Sequence, residues 1–122
     1  MEKLGMIIID SVTDLYRIDL DRENKDKNVN LSYQINQILA NLQLLNENYK
    51  IEILIVNEIT HTTENDQFIE VQSGGKVMDY WTANSLKISR TADIKKRSLN
   101  LTKSYSGKLL EFISTLTVKG FE

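Results

Sequence analysis

The sequence predicts an α/β fold in which a parallel βαβ unit is followed by antiparallel strands. Two apolar segments, Met6 to Ile9 and Ile51 to Val56, are typical of buried strands. Between them, apolar residues recur at three- and four-residue steps from Leu31 to Tyr49, which indicates a helix. Strand, helix and strand in this order favour parallel strands joined by a right-handed crossover.

Length and composition fit one globular domain over residues 1–122, with 41% hydrophobic and 26% charged residues. The formal net charge of −2 gives no overall basic excess, so any contact with nucleic acid must depend on local groups. The absence of cysteine excludes disulfides and thiolate metal sites. Apolar runs as long as Met6 to Ile9, which no other run exceeds, are far too short to span a membrane, and the N-terminus lacks a signal-peptide core. We therefore predict no membrane partner and a cytoplasmic location, or a nuclear one in a eukaryote.

The remaining segments are assigned from their polarity. The first strand, being apolar throughout, is expected to be buried on both faces. Residues 22 to 30 are expected to form a solvated loop, with Asn30 capping the helix. Residues 60 to 73 are expected to form a mobile loop that ends at Gly74-Gly75. Three further strands are expected to run antiparallel after it: Leu86 to Ser89, Ser98 to Leu101 and Phe112 to Val118.

Polar residues follow both strands of the predicted βαβ unit. Asp10 ends the first strand, and Asn57 and Glu58 follow the second. Ligands of open α/β sheets bind beyond the carboxyl ends of the strands, where Asp10 fits a carboxylate that holds the Mg²⁺ of a nucleotide. Two carboxylates there could share a metal or position a water that attacks a phosphate. The alternative, which spacing alone favours, is that Asp10 caps the following turn and that the pair after it is solvated.

The other candidates carry weaker signals. Gly74-Gly75 allows a sharp turn or a close approach of backbone to a ligand, and most such pairs are turns. His61 is interpreted as a solvated loop residue. Tyr80 and Trp81 could stack on bases but are more often packed. A local basic cluster could contact phosphates or be a solvated face: Lys95, Lys96, Arg97, Lys103 and Lys108.

The sequence contains no Gly-x-x-x-x-Gly-Lys-Ser/Thr segment among its five glycines. Such a loop surrounds the β- and γ-phosphates of ATP with backbone N–H groups, and its lysine reaches the transferred phosphate. Phosphoryl transfer depends on those electrostatic contacts. We therefore expect the chain alone to hold no cofactor and not to hydrolyse ATP at a useful rate.

Met6-Ile-Ile-Ile-Asp-Ser-Val-Thr-Asp-Leu-Tyr-Arg17 resembles the Walker B segment of the archaeal RadA/RadB recombinases and their eukaryotic strand-exchange relatives. Ile53-Leu-Ile-Val-Asn-Glu-Ile59 is similar to the strand of that family that ends in Thr-Asn-Gln, and Gly74-Gly75-Lys-Val-Met is similar to its Gly-Gly segment. The resemblance covers nearly all of this chain but only the C-terminal half of the family's RecA-like P-loop NTPase core. It implies DNA repair by homologous recombination.

The resemblance also implies roles for the residues at the strand ends. Asp10 would associate with Mg²⁺ and would form part of the ATP site with Ser11 and Asn57. Glu58 stands where the family has a glutamine that senses the γ-phosphate, which makes it the candidate catalytic residue. ATP and Mg²⁺ would be cofactors only if the missing phosphate-binding half is supplied.

The family's two DNA-binding loops would correspond to residues 18 to 30 and 60 to 73. The resemblance implies single-stranded DNA as a partner, together with a recombinase or further copies at a subunit interface. Seven residues would contact the DNA: Arg17, Arg22, Lys25, Lys27, Gly74, Gly75 and Lys76.

Several positions depart from the family pattern. Glu58 replaces a neutral amide, and its charge would repel a γ-phosphate unless a cation intervenes. The second loop carries Glu64, Asp66 and Glu70, which should repel DNA phosphates. Three hypotheses stay open: an ATPase whose phosphate loop lies in a preceding segment, a non-catalytic mediator or scaffold complete as given, and a RecA-fold regulatory ATPase of the clock or signalling kind.

Overall fold

The computed structural model describes residues 3–14 and 23–122. The chain divides into two compact units, Met1–Trp81 and Thr82–Glu122, which are described separately below. The expectation of one domain over residues 1–122 stays a prediction. No helix within the described ranges is both long and apolar enough to cross a membrane.

The first unit contains the predicted parallel pair. Strand β1 (Met6–Asp10) pairs in parallel with β2 (Glu52–Val56), and helix α1 (Lys25–Tyr49) lies between them in sequence. Ile35 and Leu39 of α1 are buried against Met78 of a short second helix, α2 (Gly75–Trp81). The α/β fold class, with a parallel βαβ unit typical of a partial RecA-like fold, is therefore confirmed.

The expectation that β1 is buried on both faces is wrong for the part of the chain that the structure describes. Ile9 is half-buried beside its partner Ile55, which packs against the core of α1 and α2. Met6 and Ile8 point to the other face and are 51% and 61% exposed. Alternate residues of a strand point to opposite faces, so one helix layer can bury only one of the two.

Helix α1 begins earlier than the apolar pattern predicts. Asn24 is the N-cap, and its side chain accepts a hydrogen bond of 3.0 Å from the backbone N–H of Lys27. The capping role expected for Asn30 is therefore wrong, and residues 25–30, expected in a loop, form the first turns of the helix. An asparagine cap followed by Asp26 in the first turn stabilises a helix start without any apolar residue. Residue 22 of the expected loop lies outside the described residues.

Residues 60 to 73, expected as a mobile loop, instead form most of a β-hairpin. Strands β3 (Ile59–Glu64) and β4 (Gln67–Gln72) pair antiparallel in a two-stranded sheet. The two-residue turn between them, Asn65-Asp66, has positive φ angles of 50° and 61°. This backbone conformation matches the twist of a hairpin, and asparagine and aspartate adopt it more readily than other non-glycine residues. The flanking segments contain threonine, isoleucine and valine, which favour strands, and this preference outweighs the polar character of the segments as a whole.

The second unit is an antiparallel sheet in the order β5-β6-β7-β8. Its strands are β5 (Ser85–Arg90), β6 (Lys96–Lys103), β7 (Leu110–Thr117) and β8 (Gly120–Phe121). The three antiparallel strands predicted from the sequence are therefore confirmed. Directly paired residues share a face of the sheet, so the register collects apolar side chains on one face around the buried Leu99. The others on this face are Leu86, Ile88, Leu101, Leu110 and Phe112.

Candidate functional site at the carboxyl ends of β1 and β2

The parallel register brings the predicted strand-end residues to one edge of the first unit. Asp10 lies opposite Val56, so Asn57 and Glu58 follow at the same end of the sheet. The carboxylate-bearing side chain of Asp10 is exposed. The Ser11 hydroxyl oxygen is buried and has no hydrogen-bond partner among the described residues. The end of β1 thus offers an exposed carboxylate and, next to it, a buried hydroxyl without a hydrogen-bond partner among the described residues.

Asn57 ties three chain segments together through its side-chain amide. Thr13, which lies fully buried in a helical segment after β1, donates a 2.6 Å hydrogen bond from Oγ1 to Asn57 Oδ1. Asn57 Nδ2 in turn donates to the carbonyl oxygen of Ser73 at 2.7 Å. Asn57 Oδ1 also accepts from the backbone N–H of Glu58 at 3.0 Å. We call Thr13, Asn57 and Ser73 the junction. The sequence did not indicate that the side chain of Asn57 links these segments by hydrogen bonds.

Gly74 lies next to the junction, in a space too small for a side chain. Its φ of +81° is in the left-handed region, and a Cβ atom there would lie 2.6 Å from Met78 Cγ and 3.3 Å from Thr13 Cγ2. Gly75 has a φ of +50°, but a Cβ atom at that position would meet nothing within 4 Å. Close packing therefore requires a glycine at Gly74, whereas backbone conformation alone favours one at Gly75.

The aromatic pair that follows is partly packed. Trp81 is half-buried, and its Nε1–H donates a 2.8 Å hydrogen bond to Asn36 Oδ1 of α1. Tyr80 is exposed and contacts Trp81 edge-to-face, with ring centroids 5.1 Å apart. This geometry agrees with the packed alternative for Trp81. Of the two rings, that of Tyr80 is the one open to solvent.

Asp10 and Ser11 fit part of a Mg²⁺ shell. Magnesium takes oxygen ligands and is usually held by one or two protein carboxylates, with water and substrate phosphates completing its octahedron. Within residues 3–14 and 23–122, no three side chains of His, Asp or Glu come together as a metal site. The sequence has no phosphate loop to hold a triphosphate. The residues present therefore fit an incomplete Mg²⁺ site and do not fit ATP phosphates, and the roles of Asp10 as ligand and Glu58 as catalytic residue stay predictions.

A match to a protein-family model identifies the family to which this chain belongs. Residues 1–120 match the model of the Rad51 family. This chain belongs to the Rad51 family. The resemblance to RadA/RadB recombinases, recognised from the Walker B-like segment and the Gly-Gly segment, is thereby confirmed.

The chain is also similar to several archaeal proteins of the RadB type. It is 31% identical over 100 residues to the DNA repair and recombination protein RadB of Methanosphaera stadtmanae, covering 82% of this chain and 41% of the relative. It is 27% identical over 99 residues to RadB of Methanococcus maripaludis strain C5, covering 81% and 44%. It is 28% identical over 87 residues to RadB of Methanocaldococcus jannaschii, covering 70% and 38%. The chain thus spans less than half the length of these curated relatives.

The residues predicted to contact DNA lie in the first unit as far as the structure describes them. Lys25 and Lys27 lie exposed in the first turn of α1, and Lys76 lies exposed at the start of α2, directly after Gly74 and Gly75. The other two, Arg17 and Arg22, lie outside the described residues. None of these roles is tested by the fold, and all stay predictions.

The β3–β4 hairpin is acidic. Residues 58–75 contain no lysine or arginine but four carboxylates, of Glu58, Glu64, Asp66 and Glu70. The lone histidine, His61, lies opposite Glu70 with 3.9 Å between Nε2 and Oε1, and both side chains are largely exposed. This surface is negative where the resemblance to the recombinases led us to expect a DNA-binding loop.

The turn between β5 and β6 is basic and forms a cleft of about 310 Å³. Arg90 and Arg97 lie directly opposite each other in the two strands. Arg97 Nη1 donates hydrogen bonds to the carbonyl oxygens of Ile94 at 2.8 Å and Lys96 at 2.7 Å. We call this the arginine cleft, and it is lined by Arg90, Thr91, Ala92, Ile94 and Arg97. The sequence indicated Arg97 within a basic cluster but missed Arg90, because the pairing depends on the strand register.

Proposed function

We propose that this chain is part of a DNA repair and recombination protein that contacts single-stranded DNA. The match of residues 1–120 to the Rad51 family supports this proposal most strongly. The RadB proteins to which the chain is similar are named as DNA repair and recombination proteins. The names of these relatives support recombination over the third hypothesis, a regulatory ATPase of the clock or signalling kind.

The nucleotide part of the proposal concerns the end of β1. We propose that Asp10 and Ser11 lie on the Mg²⁺ side of an ATP site once a phosphate-binding loop is supplied, and that Glu58 lies near the γ-phosphate. The exposed carboxylate of Asp10 and the unpartnered hydroxyl of Ser11 support this placement. Because Glu58 carries a charge where a neutral amide is usual, a cation between it and the triphosphate would be required. The chain alone is proposed not to hydrolyse ATP.

The DNA part of the proposal concerns the cations of the first unit. Lys25, Lys27 and Lys76 are exposed and can contact phosphates, and Arg17 and Arg22 belong to the same proposed set. Gly74 and Gly75 would allow the backbone to approach the strand. The acidic hairpin favours a second candidate, in which the chain is a non-catalytic mediator or scaffold that binds a recombinase or its own copies.

Fluorescence anisotropy of a labelled single-stranded oligonucleotide tests the DNA contact. The full chain is titrated at low and moderate salt, with and without Mg²⁺ and ATP. We expect binding that weakens steeply with salt and ignores ATP. The double variant Lys27→Ala/Lys76→Ala should weaken binding, and the slope of log affinity against log salt should fall by about 0.7 per lysine removed.

The matched control is Lys3→Ala/Lys119→Ala, which removes the same charge from two exposed lysines outside every candidate DNA-contact set. It should change the affinity less than the first pair does. Absence of binding at low salt would reject direct DNA contact and would leave the mediator or scaffold function. Equal losses from the two pairs would show that binding depends on net charge alone.

A further inference from the structure

The arginine cleft concentrates positive charge in the turn between β5 and β6. Residues 87–97 carry five basic residues and one acidic residue, Asp93. The carboxylate of Asp93 is engaged within the turn, since Oδ1 accepts a 2.9 Å hydrogen bond from a backbone N–H and Oδ2 lies 3.9 Å from Nζ of Lys96. Among the described residues, no carboxylate forms an ion pair with Arg90 or Arg97. The cleft thus offers a place for an anion that the described part of the chain does not supply.

The two guanidinium groups are placed to hold one carboxylate together. Arg90 and Arg97 lie directly opposite each other in the strand register, and the Cβ atoms of such a pair are about 5 Å apart. Nη1 of Arg97 donates to two carbonyl oxygens at 2.7 and 2.8 Å, which fixes the plane of this half-buried guanidinium. Arginine presents its N–H donors in a planar fork that matches a carboxylate. Because like charges directly opposite each other destabilise a strand pair, an anion bound between them would also stabilise the turn.

An apolar wall lies beside the arginines in the same cleft. Ile94 is 83% exposed, Ala92 is exposed as well, and both residues line the cleft. The turn that carries them is held by the hydroxyl of Thr91, which donates a 2.9 Å hydrogen bond to the carbonyl oxygen of Asp93. A phosphate group engages the arginines but leaves this wall in water. A ligand that brings a carboxylate and an apolar group together buries the wall too, so the lining favours such a ligand.

The size of the cleft favours the end of a polypeptide over an internal segment. A closed apolar cavity of about 150 Å³ accommodates a benzene ring, so a cleft of about 310 Å³ has room for one large side chain and a carboxylate. Successive side chains of an extended peptide point to opposite sides, which keeps an internal acidic residue and its apolar neighbour from entering together. A C-terminal residue carries both groups on one Cα atom. A free amino acid does so too, but its ammonium group would lie beside the arginines and be repelled.

We propose that the arginine cleft binds the C-terminal residue of a partner polypeptide that ends in a large apolar side chain. The terminal carboxylate accepts hydrogen bonds from Arg90 and Arg97, and the side chain packs on Ile94 and Ala92. An aromatic side chain also gains a contact with the guanidinium plane of Arg97. Capture of a terminal carboxylate is a recurring mode of peptide recognition. This site goes beyond the proposed function, because it depends on neither the DNA contact nor the nucleotide contact.

Binding of a model peptide tests the site. The full chain, labelled with ¹⁵N, is titrated at low salt with N-acetylated Gly-Ser-Gly-Ser-Phe, and NMR follows the backbone N–H signals and the Nε–H signals of the arginines. We expect the largest changes in residues 90–97. The same peptide with an amidated C-terminus should bind at least about tenfold more weakly, because the charge-assisted hydrogen bonds are lost. A free-acid peptide that ends in glycine should lose about as much, because no side chain reaches the apolar wall.

Two variants each remove one of the contacts. Arg90→Gln should bind the free-acid peptide at least about tenfold more weakly and should reduce its advantage over the amidated peptide. Ile94→Ser should reduce the preference for the phenylalanine peptide over the glycine peptide, while the carboxylate contact is retained. Both substitutions change exposed side chains, and circular dichroism checks that the variants fold. The matched control Lys108→Gln removes the same charge from the exposed turn between β6 and β7, at the far end of β6, and should bind like the original chain.

Three results would overturn the proposal: no change in residues 90–97 at millimolar peptide, equal affinities of the free-acid and amidated peptides, or equal affinities of the phenylalanine and glycine peptides. Nucleic acid is the alternative occupant. If an oligonucleotide displaces the peptide, and its own binding falls in Arg90→Gln but not in Ile94→Ser, the cleft is a DNA site and the proposal fails. If both variants lose the peptide and keep the oligonucleotide affinity measured by anisotropy, the C-terminal site is supported whether or not the proposed DNA residues are correct.

Discussion

Thr13, Asn57 and Ser73 are linked by hydrogen bonds at the base of the β3–β4 hairpin, whereas the hairpin itself holds Phe68 in solvent. Asn57 and Ser73 flank the hairpin in sequence, whereas Thr13 comes from a distant segment. At the base, two polar side chains and a glycine are enclosed by protein. Along the hairpin, most side chains are exposed.

This contrast separates positions that hold the fold from positions that are free to serve function. A buried hydroxyl or amide that loses its partner retains the full cost of its desolvation, so changes at the base should destabilise the chain. Exposed hairpin side chains contribute little to folding, so changes there should leave stability nearly unchanged. Phe68, whose ring is 83% exposed, is therefore a position at which a substitution can be made with little effect on the fold.

The largest effect is expected from Gly74→Ala. The new Cβ atom would collide with Met78 Cγ, and alanine is strained at a φ of +81°. Overpacking and strain together should lower the free energy of unfolding by about 2 to 4 kcal/mol, measured by urea denaturation. Gly75→Ala is the matched control: it has a positive φ but open space, so it should cost only about 1 kcal/mol. Equal effects at the two glycines would show that packing at Gly74 is unimportant.

A smaller loss is expected from Asn57→Ala. The substitution leaves the Thr13 hydroxyl buried without its partner and removes the donor to the Ser73 carbonyl. Unfolding free energy should fall by about 2 to 3 kcal/mol, whereas the exposed Asn41→Ala on α1 should change it by about 0.5 kcal/mol or less. A double-mutant cycle with Thr13→Val should give a coupling energy of about 1 to 2 kcal/mol. Additive losses would mean that the two side chains do not act together.

The smallest effect is expected from Phe68→Ala. Because the ring is 83% exposed, its removal should change the free energy of unfolding by about 0.5 kcal/mol or less. The measurement is made at low protein concentration, where copies are apart. A loss of about 2 kcal/mol or more would show that the ring is buried in the isolated chain, which would remove the contrast between base and tip.

Periodicity predicted those elements whose burial follows a simple repeat. The strands of the βαβ unit, the helix between them and the antiparallel strands of the second unit all follow their apolar patterns. The early start of α1 at Asn24 escaped detection because its first turns carry hardly any apolar residue. The hairpin was missed because exposed threonine strands have the polarity of a loop, although Asn65-Asp66 is a turn signal that could have revealed them.

The sequence predicted which residues lie at the candidate site but not which hydrogen bonds they form. Parallel strands bring their carboxyl ends together, so the order of Asp10, Asn57 and Glu58 along the chain was enough to place all three at one edge. Only the tertiary structure showed that the amide of Asn57 is committed to Thr13 and Ser73, residues 44 and 16 positions away. Hydrogen bonds at such separations leave no periodic trace in a sequence.

By itself, the sequence determined the α/β class, the family and the absence of a phosphate loop, because each depends on local pattern or on an ordered series of segments. Tertiary structure decided which glycine is enclosed by packing, which arginines face each other and which aromatic ring remains in solvent. Those properties depend on strand register and on contacts between distant segments, and a shift of one residue in the register would move Arg90 away from Arg97.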